Sequence, residues 1–314
     1  MDQRPIFRFL TEQIEVGRRC VLVTVLAVEG SAMRGPGAHM AVSEDGSFVG
    51  SLSGGCIEQA VVAEACDALR AGAARIVRFG AGSLYLDIRL PCGGGLDIHF
   101  QPLADALFAR ECLAAIEARR PYTVAIRPHG AQCIAGWHPA PFDAHAGTAS
   151  FGHFPRARLM LVGHGEGLGA LALLARTMAL DVEALTPDER ARGLLQELGI
   201  PVARLARTTD TQLLYSDLWT AIVFLFHDHD WETALLRRAF ELPRFYIGAM
   251  GGRRAHAARC EALLAAGVPA AALAALHAPI GLFHSSRDPQ TLALSALAEI
   301  VKVYQDTDFG AAHG

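Results

Sequence analysis

Residues 159–169 read LMLVGHGEGLG, a short apolar run, a glycine turn and the start of an amphipathic segment. Four successive apolar residues suit a strand buried on both faces, the usual condition of a parallel sheet. From Arg158 the pattern alternates strand and helix. Strands are expected at Val182–Leu185, Val202–Leu205, Thr220–Phe226 and Phe245–Ile247, with helices between them. That alternation predicts a parallel sheet with helices on both faces.

The segment before it has a different grammar. A helix at Pro5–Arg18 precedes a β-branched run, Cys20–Glu29, and Asp45-Gly46 marks a hairpin between Ala38–Ser43 and Ser47–Leu52. A helix over Cys56–Ala71, strands at Ile76–Phe79 and Leu96–Phe100, a helix at Ala104–Arg119 and strands at Tyr122–Arg127 and Ala131–Ala135 follow. Trp137–Pro155 is rich in Pro, Gly, Ala and His without periodicity, and reads as a linker. The expected fold is α/β: a mixed α/β domain over 1–136, a linker over 137–155 and a Rossmann-like, doubly wound parallel sheet over 156–314.

The chain has 314 residues, of which 52% are hydrophobic and 19% charged, ample for two cores. The formal net charge is −4, which argues against nucleic acid as a partner. Mean hydropathy is +0.26, yet no stretch reaches the roughly 18 uninterrupted apolar residues that a membrane span needs. The N-terminus has scattered charges and no apolar h-region, so a cytoplasmic protein is expected. Seven cysteines with no CxxC pair argue against a disulfide framework or a zinc ribbon.

Gly163 and Gly165 stand where a dinucleotide fingerprint belongs, after a strand and opening a helix. The third fingerprint position is Leu168, and Thr186-Pro187 occupies the end of the next strand, where an acid would hold a ribose, with Asp188 two residues on. A turn that merely packs helix on sheet explains the same residues, and NAD(P) is not expected. At Ser53-Gly54-Gly55-Cys56 a phosphate could sit on the N–H groups of Gly54 and Gly55, and the helix field would favour Cys56 as a thiolate. A buried cysteine in a first helical turn is the plainer alternative.

Pro91-Cys92-Gly93-Gly94-Gly95 presents a cysteine with almost no side-chain cover, suited to a ligand or a metal. His227-Asp228-His229-Asp230 ends the Trp219–Phe226 run. Metal ligation is conceivable there, but a polar strand end lining a ligand crevice, with Asp230 capping a helix, is the more ordinary reading. Arg253 and Arg254 beside glycines could hold a phosphate, or simply be solvated. The role of Ala278-Pro279-Ile280-Gly281-Leu282 does not follow from residue types. Cys20, Cys66, Cys112, Cys133 and Cys260 lie in apolar runs or helices and read as core.

The order of motifs, VEGSAMRGPGAHM, GSLSGGCIE, LPCGGGLDI, a glycine turn on a Rossmann strand, FYIGAMGGRRAHAAR and APIGL, resembles the xanthine dehydrogenase accessory protein family, XdhC/CoxI. The resemblance implies a cytoplasmic chaperone rather than an enzyme. Such a protein transiently binds the molybdenum cofactor (molybdopterin), protects it, supports exchange of a terminal oxo ligand for sulfido, and delivers it to an apo molybdenum hydroxylase. It also implies a cysteine desulfurase as second partner and self-association as a homodimer.

By position, Arg34 falls in the GS-x-x-R loop with Met33 in place of proline. Gly54, Gly55 and Cys56 fall in SGGC, Cys92 and Gly93 in PCGG, and Gly163 and Gly165 in the glycine turn. Arg253 falls in the segment where Gly252 stands for serine, and His227 faces the expected crevice. Phe283-His284-Ser285 replaces the family's D-I-G. Thiolate suits a soft, sulfur-liganded metal end, which makes Cys92 the expected contact to molybdenum. The competing reading is an NAD(P)-dependent oxidoreductase with His227 as proton donor.

Overall fold

The computed structural model describes residues 2–83, 93–227, 229–283 and 288–311. It divides into a first unit that runs to Pro155 and is rejoined by the chain after Phe309, and a second unit, Arg156–Phe309.

The first unit opens with α1 (Arg4–Glu15), which buries Ile6, Phe7, Leu10 and Thr11 on one stripe. Next come β1 (Cys20–Glu29), β2 (His39–Ser43), β3 (Phe48–Gly50), α2 (Glu58–Ala71), β4 (Arg75–Gly80) and β5 (Gly95–Pro102). The sheet order is β3-β2-β1-β5-β4, with β1 antiparallel to both neighbours. The expected hairpin forms at Asp45-Gly46, where Gly46 takes a φ of 82°. Alternation along β1 sends Val21, Val23 and Val25 to the α2 face with Val61 and Ala65. Cys20, Leu22 and Leu26 go to the other face, against Phe7 and Leu10 of α1.

That second face is completed by α3 (Leu107–Glu117), β6 (Tyr122–Arg127), β7 (Gly130–Ala135), β8 (Ala140–Asp143) and β9 (Thr148–His153). Residues 137–155 are therefore not a linker. β9 pairs antiparallel with β6, setting Val124 opposite Phe151, and the small sheet has the order β7-β6-β9-β8. The reason is packing. Ala149 and Phe151 alternate with polar and glycine positions, and both are buried with Phe7 and Tyr122, which a solvated linker would leave exposed.

The second unit runs β10 (Arg158–Gly163), α4 (Glu166–Thr177), β11 (Asp181–Thr186), α5 (Glu189–Glu197), β12 (Val202–Arg204), β13 (Thr220–Leu225), α6 (Glu232–Glu241), β14 (Tyr246–Ala249), α7 (Arg253–Ala265), α8 (Ala270–Leu273), β15 (Leu276–His277) and α9 (Pro289–Asp306). Its six strands are all parallel, in the order β12-β11-β10-β13-β14-β15. This is the Rossmann order, with its switch point between β10 and β13. Leu159 and Leu161 enter the core shared with Leu168 and Leu171 of α4 and Ile300 of α9. Met160 and Val162 enter the opposite core, with Leu235 of α6 and Leu263 of α7. Burial on both faces explains the unbroken apolar run that the sequence displays. Among the described residues, no helix is long and apolar enough to cross a membrane.

Candidate functional site

Antiparallel pairing brings the C-terminal end of β1, the N-terminal ends of β2 and β5, and the C-terminal ends of β3 and β4 to one end of the first sheet. The loops carrying GSAMR, SGGC and the glycines after Cys92 therefore gather there. A Cβ on Gly94 would come within 2.5 Å of the Glu29 carbonyl oxygen and 2.8 Å of that of Ser31. A Cβ on Gly54 would meet Met33 Sδ at 2.5 Å. The Ser31–Arg34 loop thus touches both glycine loops; glycine is required at 94 by the close approach of backbone and at 54 by a φ of +80°. Arg34 is half-buried, and its Nε is shielded from water with no hydrogen-bond partner among the described residues. Gly93 has a φ of +70° with open space where a side chain would be. Cys92, the thiol expected to meet the metal, lies outside the described residues.

The SGGC loop is organised by the last residue of the GSLSGGCIE motif, to which the sequence gives no role. Glu58 is only 6% exposed. Its Oε1 accepts from Ser51 Oγ at 2.7 Å, Leu52 N at 3.1 Å and Ser53 N at 3.0 Å. Its Oε2 accepts from Ser53 Oγ at 2.8 Å and Ile57 N at 3.1 Å. Burial by itself would raise the Glu58 carboxyl, but these hydrogen bonds outweigh it and hold the group down at about 2. The two serines take further donors. Ser51 Oγ accepts from Gly54 N at 2.9 Å, and Ser53 Oγ accepts from Cys56 N and Ile57 N, both at 3.1 Å.

Of the two N–H groups expected to cradle a phosphate, that of Gly54 donates to Ser51 Oγ. A buried carboxylate already occupies the positive end of α2, where an anion would have to sit. Helix α2 starts at Glu58, two residues after the expected Cys56, because the loop must wrap its own carboxylate before turning. Cys56 itself is exposed, which answers against the buried-cysteine alternative.

At the switch point of the second unit the glycine turn is left open. A Cβ on Gly163 would meet the Leu225 carbonyl oxygen at 2.5 Å, so glycine lets β10 and β13 close up. Gly165 is the N-cap of α4 at φ 80° and ψ −172°, a conformation essentially confined to glycine, and no side chain caps the helix. Leu168, in the third fingerprint position, is fully buried in the core. The close helix approach has moved one residue on, to Gly169, whose Cβ would lie 3.1 Å from Leu194 Cδ2. His227 is exposed at the end of β13, with its ring 5.8 Å from that of His164. His164, half-buried and 5.4 Å from the Phe226 ring, is visible in sequence only as the middle residue of G-x-G.

Asp188 does not stand ready for a ribose. Its side chain caps α5 by accepting from Arg190 N and Ala191 N. Asp230 is not the cap of α6 either, since Trp231 holds that position without a side-chain hydrogen bond. Asp228 lies outside the described residues. Among those described, no group of three or more His, Cys, Asp or Glu could hold a metal.

Arg253 starts α7 and is exposed, one strand over from the switch point. The arginine of α7 that the fold uses is Arg259, 3% exposed. Its Nε lies 2.9 Å from Glu232 Oε2, and its Nη2 donates to the Met250 carbonyl at 2.7 Å. The Ala278–Leu282 turn is an anchor. Glu299 of α9 accepts from Gly281 N and Tyr246 Oη, both at 2.7 Å, and lies 3.1 Å from His277 Nδ1. His284, Ser285 and the residues to 287 lie outside the described residues.

Comparison with known proteins converges on one family. Residues 13–80 match the XdhC and CoxI family, and residues 159–300 match the XdhC Rossmann domain. The chain is 33% identical to the molybdenum cofactor insertion chaperone PaoD of Escherichia coli (strain K12), over 98% of this chain and 91% of that one. It is 24% identical to a probable xanthine dehydrogenase subunit of Bacillus subtilis (strain 168), over 92% of this chain and 94% of the relative. A crystal structure from Bacillus halodurans, described as a xanthine dehydrogenase, shares the fold with a TM-score of 0.74 at 19% identity, covering 96% of both chains. Two units with a gathered loop end, an open Rossmann turn and this set of relatives lead to one assignment: the chain belongs to the XdhC and CoxI family.

Proposed function

We propose that this protein is a molybdenum cofactor accessory protein. In this reading it binds the cofactor as cargo, protects it, supports its sulfuration and delivers it to an apo molybdenum hydroxylase of the xanthine dehydrogenase type. The observation that carries the reading is Arg34. Its Nε is closed off from water yet unpartnered among the described residues, at the loop that touches both glycine motifs. A buried guanidinium N–H in that condition is stabilised by an anionic ligand, and the cofactor is an anion with a phosphate. Similarity to PaoD, a molybdenum cofactor insertion chaperone, supports the same cargo.

In this proposal Arg34 holds the anionic end, with Cys56 and Gly93 beside it. Cys92 supplies the thiol for the soft metal end. Within the second unit, Gly163, Gly165, His227 and Arg253 are proposed as ligand-contacting residues. A cysteine desulfurase and a second copy of the chain are proposed partners, and the cytoplasm is the proposed compartment. The dehydrogenase reading loses support because Asp188, the first acid after β11, is committed to a helix cap.

The test is to purify the protein from a molybdate-replete host and measure molybdenum and the fluorescent pterin oxidation product per chain. Wild type should carry both. Arg34→Ala and Cys92→Ala should each lose most of the metal with unchanged melting, while Cys66→Ala, on α2, should keep it. Wild-type protein without molybdenum or pterin would sink the cargo assignment.

A further inference from the structure

A second thiol site lies in the first unit, away from the glycine loops. Cys112 is buried on α3 and Cys133 is half-buried on β7, 21 positions apart in sequence, and both pack in one apolar cluster, near enough for each thiol to shift the other's titration. Burial above all, then the neighbouring sulfur, pushes the Cys112 thiol well above its ordinary value, whereas the neighbouring Cys112 thiol lowers Cys133. The more accessible Cys133 is therefore the attacking thiol and the buried Cys112 the resolving one.

Two further observations point to a ligand. Cys133 lines a cleft of about 480 Å³ between the β5–α3 connection and the β6–β7 turn. Asp105 and Glu111 also line it, and no lysine or arginine does so among the described residues. Tyr122 is 3% exposed, and its hydroxyl finds no hydrogen-bond partner among the described residues. It lies near enough to Cys112 and Cys133 to interact with their charge, which makes it a spare donor for a developing thiolate.

We propose that Cys112 and Cys133 form a dithiol–disulfide couple, oxidised by small disulfides of positive charge that enter this cleft. The Cys133 thiolate attacks one sulfur of RSSR, forming a Cys133–SR bond and breaking RS–SR. The departing RS⁻ takes up the proton that Cys133 gave up. Cys112 then loses its proton and attacks the Cys133 sulfur, forming the internal disulfide and expelling the second RS⁻, which takes that proton. Two electrons pass from the protein to the disulfide, and two RSH leave. The carboxylates of Asp105 and Glu111 favour a cationic disulfide over an anionic one. The product pins α3 to β7.

The full chain is treated with cystamine, or with its anionic counterpart dithiodiglycolate, at neutral pH and low ionic strength, then acid-quenched and peptide-mapped by mass spectrometry. Wild type should yield the Cys112–Cys133 disulfide, Cys112→Ser should trap a cysteamine adduct on Cys133, and Cys133→Ser should leave Cys112 unmodified. Cystamine should act about tenfold faster than dithiodiglycolate, with the gap closing at high salt. The half-buried Cys66 is the internal reference. Modification of Cys133 no faster than Cys66, equal rates with both disulfides, or a wild-type Cys133 adduct that persists without closing onto Cys112 would each overturn the proposal. The wild-type mapping decides the matter even if a serine variant folds poorly.

Discussion

At the start of α2, Ser53-Gly54-Gly55 turns into the helix around the carboxylate of Glu58. At the start of α4, Gly163-His164-Gly165 does so with no side-chain cap. Both turns follow a strand and open a helix, and both look alike in sequence. They differ in where the N–H groups go. In the first, Ser51, Ser53 and Glu58 take the donors, so the dipole stabilises the protein's own charge. In the second, no side chain among the described residues caps the helix start, the kind of position that suits an anion. Glycine shows that backbone can approach a ligand, and only the accounting of donors shows whether any are left to give.

The comparison breaks most visibly at Glu58. Glu58→Ala removes the acceptor for five hydrogen bonds, leaves buried N–H groups unpaired and should cost about 3 kcal/mol of unfolding free energy by urea titration. An unchanged midpoint would mean that the loop does not depend on it. The equivalent insult to the open turn is conformational. Gly165→Ala should cost about 2 kcal/mol, because alanine strains at φ 80° and ψ −172°. That loss should appear in the second unit's transition and leave the first unit's amide protection unaltered.

Acid sharpens the contrast between the units. The Glu58 carboxyl is depressed from 4.5 to about 2, so its contribution is complete above pH 4.5 and fades as pH falls toward 2. The stability difference between wild type and Glu58→Gln should be flat above that window and shrink through it. His99 and His153 are lowered by burial to about 4, and burial also holds His39, bonded to Thr24 Oγ1 at 2.9 Å, well below its ordinary value. All three are neutral when folded, so acid favours the unfolded chain from pH 6.5 down to about 4. Hydrogen exchange, corrected for intrinsic rate, should show the first unit opening more than tenfold more often at pH 4.5 than at pH 7, a loss above about 1.4 kcal/mol. Opening led instead by the second unit would count against this assignment. The smallest effect belongs to the open turn: an NADH titration should show no low-micromolar binding, because Asp188 is held by Arg190 N and Ala191 N.

Legibility tracks how local each signal is. The Leu159–Val162 run announces a strand buried on both faces, and Asp45-Gly46 announces its hairpin, since each rests on neighbouring residues. β9 is hidden, because its apolar positions, Ala149 and Phe151, are separated by a serine and flanked by glycine and histidine. Arg34 is legible through its motif, and its unpartnered Nε is not. Glu58 reads as an ordinary first-turn acid. Cys112 and Cys133 each read as a core residue, because nothing in either segment says that helix α3 lies on strand β7.

The sequence by itself determined the two-part chain, the parallel sheet with its glycine turn, and the family. Those follow from periodicity and from motif order, which are written along the chain. Only the tertiary structure decided that the Glu58 carboxylate takes donors of the SGGC loop, that Leu168 is buried in the core while Gly169 faces Leu194, and that Cys112 and Cys133 share one cluster. Hydrogen-bond satisfaction and side-chain packing depend on distances between residues that the chain separates, and those distances exist only once the sheets and helices have packed.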